Sequence, residues 1–402
     1  MRRLGLILLL LLSTATGLAL AELGFRLILR APKDREHHHM VADPVFHHRL
    51  RPSFTKRVRG VEFSTNSLGL RDREFPVQKP AGVFRILMLG DSFTEGAGLR
   101  LEDTVAKRLE TLLNQGPCQG RSEVINAGMG SYSPILEYLL LKHVGLGLNP
   151  DLIMLNFDMT DVHDDFVRTK IARLDAGGLP VAVPTDRIGE AAILMPPLQK
   201  PRSLRFLDPL ETLANRLTIY QAIRRSSVGQ MVFGSLKLTP ERLEALQLIG
   251  NVQYDTLAIT RDGDFPGMRE AWALTEHYLR AIRQLAQDRG LPFVLVVYPH
   301  PHQVSASESP EGRRKLGIGP GFFASERPFQ ILEDLGRREG FPVINLLSVF
   351  RARDRSDGPL YWPDDIHNTP QGAKVFAEGL FAGLLEQKIL PQCRSGLAYN
   401  RR

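Results

Sequence analysis

The sequence predicts an α/β protein with a central, mostly parallel sheet. Short apolar runs end abruptly in polar or glycine-containing turns, at residues 86–89, 152–157 and 292–298. Runs of this kind are typical of strands that are covered on both faces. Between them lie stretches whose apolar residues recur at helical spacing, such as residues 272–288 and 328–339. This alternation of buried strands and amphipathic helices favours a parallel sheet with helices packed on it.

Composition and charge argue against several classes of function. The 402 residues have an ordinary composition with abundant glycine and proline, enough for one sizeable core with insertions. The net charge of +7 is spread along the chain, and no basic helix or aromatic-interleaved basic patch predicts nucleic-acid binding. No Gly-Lys-Ser/Thr loop or Gly-x-Gly-x-x-Gly turn follows a strand, so the sequence predicts no nucleotide cofactor.

The first 30 residues predict export. Met1-Arg2-Arg3 precedes residues 4–21, an uncharged apolar run long enough, with its flanks, to cross a bilayer. Positive charges before such a run predict a cytoplasmic amino end and an exported remainder. Ala19-Leu20-Ala21 also fits a signal-peptide cleavage site, but the apolar character continues through residues 23–29, which favours an uncleaved transmembrane anchor. Both alternatives place the rest of the chain outside the cytoplasm.

Residues 31–80 predict a segment that links the anchor to the core and packs along the edge of the core. They are polar, rich in arginine and histidine, and include His37-His38-His39 and His47-His48. Adjacent histidines point in different directions and no carboxylate or thiol stands at ligand spacing, so no metal site is predicted. The core is expected to span residues 81–392 with an insertion at about 167–264, followed by a tail at residues 393–402.

The most informative stretch is residues 84–96, Phe-Arg-Ile-Leu-Met-Leu-Gly-Asp-Ser-Phe-Thr-Glu-Gly. Its apolar run ends at Gly90-Asp91-Ser92, which places the serine at the carboxyl edge of a central strand, where ligands bind in open α/β sheets. The helix expected next begins after Asp103 or Thr104 and stops at Gly116. A serine hydroxyl becomes an effective nucleophile only when an oriented base takes its proton.

A candidate base lies near the carboxyl end of the chain. Residues 361–372 are Tyr-Trp-Pro-Asp-Asp-Ile-His-Asn-Thr-Pro-Gln-Gly, a polar turn in which Asp364 stands three residues before His367. One turn of local structure would let the Asp364 carboxylate reach the imidazole and fix its tautomer. A helix is expected next, with an apolar residue at every fourth position of residues 376–384.

Together these two ends resemble the SGNH, or GDSL, hydrolase superfamily. The resemblance rests on Gly90-Asp91-Ser92 after the first core strand and on Asp364-x-x-His367 before the last helix, in that order. It extends to Asn-Ser-Leu-Gly-Leu-Arg-Asp at residues 66–72 and to the strand that begins at Arg85, which are similar to membrane-anchored bacterial members. The resemblance implies a flavodoxin-like fold, a three-layer α/β/α sandwich, here with an N-terminal transmembrane helix.

The resemblance also implies acyl transfer by a Ser-His-Asp mechanism. Ser92 would attack an ester carbonyl while His367, oriented by Asp364, takes its proton, and no metal or other cofactor is implied. The implied location is the bacterial inner membrane, with the catalytic domain in the periplasm or outside the cell. The implied substrate is an ester-bearing, O-acetylated glycan of the envelope or extracellular space, served by an esterase or an O-acyltransferase. A lipid or lysophospholipid ester is the alternative substrate, and the sequence identifies no protein partner.

Two segments align with the oxyanion-binding blocks of this superfamily. At residues 126–134 the family has a glycine whose backbone N–H donates to the oxyanion, and the donor position here falls on Ser131. At Thr160-Asp161 related enzymes have an Asn-Asp pair whose side-chain amide completes the oxyanion hole. The resemblance therefore implies three donors, the N–H groups of Ser92 and Ser131 and the shorter Thr160 hydroxyl.

These departures leave a second function open, that of a weakly active or inactive envelope protein that binds a glycan or a partner. The altered oxyanion segments favour it, whereas the intact Ser92, Asp364 and His367 favour an enzyme. The Pro-rich and amphipathic insertion at about 167–264 follows a strand's carboxyl end. It predicts either a cap that shapes the substrate site or a partner-binding surface.

Other polar groups near the predicted strand ends are not expected to be catalytic. The acidic run at residues 158–165, which includes His163, predicts a solvated loop rather than a cation site. His300 and His302 follow a strand, but neither has an acidic neighbour in the sequence. They are therefore expected in loop or substrate-contact roles rather than as bases.

The two cysteines of the chain are expected to pair. Cys118 and Cys393 each lie just beyond a predicted helix, one after Ser92 and one after His367. In the arrangement that the resemblance implies, those helices lie on the same face of the sheet and run the same way. Together with export, this implies a Cys118–Cys393 disulfide.

Overall fold

The computed structural model describes residues 39–115, 121–185, 250–252, 255–316, 318, 325–353 and 357–390, with a few positions between 13 and 24. The chain divides into two compact units, residues 1–38 with 197–239 and residues 39–196 with 240–402. The first unit holds few described positions, so the description concerns the second. No described helix is both long enough and apolar enough to span a bilayer.

Four of the expectations fall wholly or mostly on residues outside this description. They are the apolar run at residues 4–21, the insertion at about 167–264 from residue 186 to residue 249, both cysteines, and the tail at residues 393–402. The transmembrane anchor, the cap and the Cys118–Cys393 disulfide therefore stay predictions.

Within the described residues, the strands form one parallel sheet and three hairpins. They are β1 (Met40–Asp43), β2 (His47–Leu50), β3 (Thr55–Val58), β4 (Val61–Ser64), β5 (Val83–Gly90), β6 (Arg121–Gly128), β7 (Leu152–Phe157), β8 (Arg173–Leu174), β9 (Pro180–Ala182), β10 (Phe293–Val297) and β11 (Val343–Asn345). The parallel sheet has the order β11-β10-β7-β5-β6, and β1 pairs with β2, β3 with β4 and β8 with β9. Counted along the chain, the parallel strands lie in the order 2-1-3-4-5, which is the flavodoxin-like order.

Helices cover both faces of the parallel sheet. They are α1 (Ser92–Glu95), α2 (Val105–Gln115), α3 (Pro134–His143), α4 (Asp161–Thr169), α5 (Met268–Gln287), α6 (Pro301–Val304), α7 (Pro310–Lys315), α8 (Arg327–Glu339), α9 (Leu347–Ala352) and α10 (Pro370–Glu386). α2 and α10 pack on one face, and α3, α4, α5 and α8 pack on the other. The predicted α/β fold with a central parallel sheet is confirmed, and α2 and α10, the helices that precede the two cysteines, are neighbours.

Side chains alternate along the strands and so fill two cores. In β5, Ile86 and Met88 face the layer of α2 and α10, whereas Leu87 and Leu89 face the opposite layer, and all four are fully buried. Every residue of β7 and β10 is buried as well. Because both faces of these strands are covered, their sequences are continuous apolar runs, which is why the runs predicted strands.

The acidic run at residues 158–165 is not the solvated loop that the sequence predicted. Its second half begins α4, and Asp161 and Asp165 are buried. Val162 and Phe166, four residues apart, pack into the core and turn the carboxylates inward on the helix. Asp165 is satisfied there because it accepts hydrogen bonds from the Ile135 N–H at 2.9 Å and the Thr275 hydroxyl at 2.8 Å.

Candidate active site

Ser92 stands at the carboxyl end of β5, beside β7, where the strand order reverses and α/β sheets bind their ligands. Gly90 has a φ of 152°, and a Cβ added there would lie 2.1 Å from the Thr94 hydroxyl, so the turn into α1 requires glycine. Asp91 caps α1 by accepting the Phe93 N–H at 2.9 Å. Ser92 is then the first helical residue, and its N–H has no acceptor within the described ranges.

The structure brings Ser92 and His367 together across 275 positions of the chain. The Ser92 Oγ lies 2.8 Å from the His367 Nε2, and the His367 Nδ1 lies 2.6 Å from an oxygen of Asp365. A carboxylate can only accept at this distance, so the Nδ1 carries a proton and the Nε2 of the neutral ring is free to accept from Ser92. A hydroxyl, an imidazole and a carboxylate thus stand in the order that nucleophilic catalysis needs.

The carboxylate on His367 is Asp365, and the expectation that Asp364 would fill this place was wrong. Asp364 instead accepts hydrogen bonds from Arg59 at 2.9 and 3.1 Å. The Trp362 N–H donates to the His367 carbonyl at 3.0 Å, which closes the turn and leaves Asp364 near its exposed tip. Carboxylates two and three residues before the histidine are equally within reach of one turn, so spacing alone could not distinguish them.

Arg59 holds both aspartates from the turn between β3 and β4. Its Nη2 also lies 3.1 Å from Asp365, and its guanidinium lies 5.3 Å from the centre of the Trp362 ring. Arg59 and Gly60 have φ values of 50° and 79°, as a two-residue hairpin turn requires. A non-glycine residue in this backbone region is costly, and such residues cluster at functional sites.

The charges of this group shift the pKa values of His367 and Asp365 in opposite directions. Burial opposes the charge of His367, but its hydrogen bond to Asp365 and the nearby carboxylates outweigh burial and raise its pKa above 6.5. Burial likewise opposes the charge of Asp365, but His367 and Arg59 outweigh it and hold the pKa of Asp365 well below its usual range. Asp365 is therefore ionised at neutral pH and stabilises a protonated His367.

Ser131 lies beside Ser92 in a conformation that favours glycine. Its φ is 62°, and a Cβ added to the preceding Gly130 would lie only 3.9 Å from the Ser92 Cβ. The Ser131 hydroxyl accepts from Arg168 at 2.9 Å and donates to Asp164 at 3.3 Å. These contacts offset the cost of the left-handed backbone, which a serine at this position would otherwise bear.

The peptide between Gly130 and Ser131 has a fixed orientation. The Gly130 carbonyl accepts from His48 Nε2 at 2.8 Å, and the Gly130 N–H donates to Glu95 at 2.6 Å. The peptide bond is trans, so the Ser131 N–H points away from that carbonyl. This N–H has no acceptor in the part of the chain that the structure describes.

Thr160 is not available as the third oxyanion donor that the resemblance implied. Its hydroxyl donates to the Asp158 carboxylate at 2.6 Å, and its N–H donates to the same oxygen at 2.9 Å. A carboxylate two residues earlier accepts charge-assisted hydrogen bonds from both groups, so this short side chain bonds locally. The predicted role of Thr160 is therefore corrected.

Behind Ser92 lies a buried polar group that the sequence did not reveal. The His300 Nε2 lies 2.7 Å from Asp158, and the Tyr298 hydroxyl lies 3.1 Å from Asp158 and 3.0 Å from Asp91. His300 thus has an acidic neighbour, 142 residues away in the chain. The sequence indicated only that Asp158 follows one strand, β7, and that Tyr298 and His300 follow another, β10. The structure shows that these two strands are adjacent.

Residues 39–80 support three parts of the site. Arg59 contacts the aspartates and His48 contacts Gly130. Arg71 donates to the Glu95 carbonyl at 2.8 Å, at the end of α1, and to the Gly96 and Leu99 carbonyls beyond it. Arg71 is almost completely buried, and burial lowers its pKa to about 10. The segment expected only to link and to pack along an edge therefore also positions the site.

Comparison with known proteins yields matches among solved structures alone. No family model and no curated protein matches the chain. A G-D-S-L family protein from Desulfitobacterium hafniense is 11% identical with a TM-score of 0.33, over 75% of this chain and 99% of that one. A lipase/acylhydrolase from Enterococcus faecalis is 14% identical with a TM-score of 0.34, over 78% and 100%. A catalytic mutant of an acetylxylan esterase from Geobacillus stearothermophilus is 10% identical with a TM-score of 0.38, over 78% and 97%. At these identities and TM-scores we infer no activity from the matches.

Proposed function

We propose that this protein is a serine esterase or O-acyltransferase that acts on ester bonds through Ser92, His367 and Asp365. The observation that carries the proposal is the line of contacts from the Ser92 Oγ to the His367 Nε2 at 2.8 Å and from the His367 Nδ1 to Asp365 at 2.6 Å. These distances are those of a working nucleophile, base and orienting group.

The reaction follows from this geometry in two halves. Ser92 attacks the ester carbonyl carbon while His367 takes the hydroxyl proton, and the collapse of the tetrahedral intermediate expels the alcohol, which receives that proton from His367. A water molecule or a sugar hydroxyl then gives its proton to His367 and attacks the acyl carbon. The bond from that carbon to the Ser92 Oγ breaks, and Ser92 takes the proton back from His367. Water gives hydrolysis, whereas the sugar hydroxyl gives acyl transfer.

Two backbone groups are proposed to bind the oxyanion. The N–H groups of Ser92 and Ser131 have no acceptor in the described ranges, and the Gly130-Ser131 peptide lies beside Ser92. Donors held rigidly where negative charge develops stabilise the transition state without reorganisation. Because Thr160 is bound to Asp158, the oxyanion hole is proposed with two donors rather than three.

The proposed substrate is an O-acetylated glycan of the cell envelope or the extracellular space. Support comes from the predicted export of the chain and from its resemblance, at residues 66–72 and 85–92, to membrane-anchored bacterial SGNH hydrolases. On the same grounds, the proposed location is the bacterial inner membrane, with the catalytic domain in the periplasm or outside the cell.

Acid release from defined esters tests the proposal. The full-length protein in detergent is incubated with acetylated oligosaccharides, with short-chain and long-chain aryl esters, and with lysophospholipid, and the Ser92→Ala protein serves as the blank. We expect acetate release from the oligosaccharides and faster hydrolysis of short-chain than of long-chain esters. Preferential hydrolysis of lysophospholipid would overturn the proposed substrate, and no turnover of any ester would overturn the enzyme.

A binding protein with little or no activity is the second candidate. The loss of Thr160 as a donor favours it, because one missing oxyanion donor costs about 10²- to 10³-fold in rate. A fluorophosphonate probe separates the two candidates, since it reacts only with an activated serine. Labelling of the wild type that Ser92→Ala abolishes supports the enzyme, and no labelling of folded protein supports the binding protein.

The pH dependence should show an acid limb set by His367. The base must be neutral to accept the Ser92 proton, so kcat/KM is lost as the pH falls through the pKa of His367, which lies above 6.5. Asp365→Asn removes the hydrogen bond and the charge that raise this pKa. It should therefore move the midpoint of the acid limb of kcat/KM to lower pH. A midpoint that stays in place in Asp365→Asn would contradict the assigned pair.

Substitutions of Ser131 should separate its backbone from its side chain. Ser131→Gly adopts a φ of 62° without strain, whereas Ser131→Ala keeps the strain and loses the hydrogen bonds with Arg168 and Asp164 that offset it. We expect kcat to be about 10- to 10²-fold lower in Ser131→Ala than in Ser131→Gly, with similar KM values, because a displaced N–H is a lost oxyanion donor. Equal kcat values in the two variants would remove Ser131 from the oxyanion hole.

A further inference from the structure

Asp91 is a buried acid in direct contact with the nucleophile, and the mechanism above gives it no chemical role. Asp91 is 4% exposed, and its side chain caps α1. One of its oxygens accepts the Phe93 N–H at 2.9 Å and lies 3.0 Å from the Tyr298 hydroxyl. The other lies 3.2 Å from the Ser92 Oγ. The protonation state of Asp91 therefore bears on where the Ser92 proton points.

A count of protons shows that Asp91 and Asp158 cannot both be ionised with these contacts satisfied. The Tyr298 hydroxyl lies within hydrogen-bond distance of both carboxyl groups, but it has a single proton to donate. If it donates to one carboxylate, its oxygen faces the other, which repels it unless that second group carries a proton of its own. One additional proton must therefore reside on one of the two acids.

The contacts of Asp158 assign that proton to Asp91. Asp158 already accepts from His300, from the Thr160 hydroxyl and from the Thr160 N–H. Burial opposes its charge, but these partners outweigh burial and hold the pKa of Asp158 well below its usual range. Burial and the Asp158 charge instead raise the pKa of Asp91 to about 8. The Tyr298 hydroxyl then donates to Asp158 and accepts from Asp91.

We infer that Asp91 is a positioning residue that works as a neutral carboxylic acid and so leaves the Ser92 hydroxyl directed at His367. This inference rests on the proposed function. A neutral acid is a weak acceptor, so the Ser92 proton goes to the His367 Nε2 at 2.8 Å. An ionised Asp91 would be a strong acceptor at 3.2 Å, would compete for that proton and would place negative charge beside the developing oxyanion.

Burial and the charge of Asp158 favour the neutral form of Asp91. The groups that face it are His367, Tyr298, Asp158, Asp161, Glu137 and, through Asp158, His300. Burial and the neighbouring acids raise the pKa of both Glu137 and Asp161 well above the usual range. Hydrogen bonds from the Phe93 N–H and the Tyr298 hydroxyl, together with a protonated His367, favour the ionised form of Asp91, but burial and the Asp158 charge outweigh them. Catalysis should therefore fall as Asp91 loses its proton at alkaline pH.

The rate of fluorophosphonate labelling between pH 6 and pH 10 tests this inference on the full-length protein, with the Ser92→Ala protein as the blank. In the wild type we expect a decline above pH 8 that approaches tenfold per pH unit, as one titrating group gives. Asp91→Asn cannot ionise and keeps an N-cap side chain, so its labelling should be slower than that of the wild type at pH 7 but should not decline up to pH 9.5. Asp165→Asn is the matched control, because Asp165 is a buried acid with a raised pKa that makes no hydrogen bond to Ser92. It should keep the alkaline decline.

Three results would overturn the inference while leaving the proposed function intact. The first is that labelling of the wild type does not decline at alkaline pH. The second is that the Asp91→Asn protein keeps the same decline as the wild type. The third is that labelling of Asp91→Asn falls by more than about 100-fold at every pH while its thermal unfolding is unchanged. The last result would show that the ionised form is the active one. Absence of labelling in the wild type at every pH would instead overturn the proposed function, and the inference with it.

Discussion

Replacing Ser92 with alanine should lower kcat by about 10⁶-fold, because loss of the nucleophile leaves only substrate binding and the oxyanion donors to act. The fold should survive, since the cap of α1 is made by Asp91 and the turn by Gly90. Hydrolysis of a short-chain aryl ester and fluorophosphonate labelling measure the loss, and thermal unfolding verifies the fold.

Ser67→Ala is the control for Ser92→Ala. Ser67 is exposed and bonded to Glu74, so its loss should leave kcat within about twofold of the wild type. If Ser92→Ala retained more than a tenth of the wild-type kcat, a different group would have to carry the chemistry.

Replacing Asp365 with asparagine should lower kcat by about 10³- to 10⁴-fold at neutral pH. Asparagine can present an amide N–H to the His367 Nδ1, which favours the tautomer whose Nε2 carries the proton and cannot accept from Ser92. It also removes the charge that stabilises the imidazolium during acyl transfer. Steady-state kinetics on a short-chain ester measure the effect, which should lie in kcat rather than in KM.

Asp364→Asn is the matched control, because it makes the same chemical change one residue away. Asp364 is bound to Arg59 at the exposed tip of the turn, so its substitution should cost less than about tenfold in kcat. A larger loss from Asp364→Asn than from Asp365→Asn would restore the original assignment and would mean that the turn is rearranged in the working enzyme.

The order of elements was predictable because strands covered on both faces leave a continuous apolar signal. β7 spans the predicted residues, and α5 and α8 differ from the predicted helices by a few residues at their ends. The acidic start of α4 was not predictable in this way. Its polar residues outnumber its apolar ones, and its apolar contacts with the core come from Val162, Phe166 and the partly buried Val167.

Within the site, residues marked by local sequence were predictable, whereas those defined by contacts between distant elements were not. Ser92 and His367 stand in turns beside a core strand and the last helix, so each could be found from its own neighbourhood. The choice of Asp365 depends on how one turn closes. The pairs Asp158–His300 and Arg59–Asp365 depend on which strands and hairpins become neighbours, and no spacing rule covers separations of this length.

The supports provided by residues 39–80 set a lower limit on the length of a chain that could perform the proposed reaction. A protein trimmed to begin at β5 would keep the whole parallel sheet, Ser92 and His367. It would lose Arg59, which binds Asp365, Arg71, which binds the end of α1, and His48, which binds the Gly130 carbonyl. Such a minimal domain should therefore be a poor catalyst even where it folds.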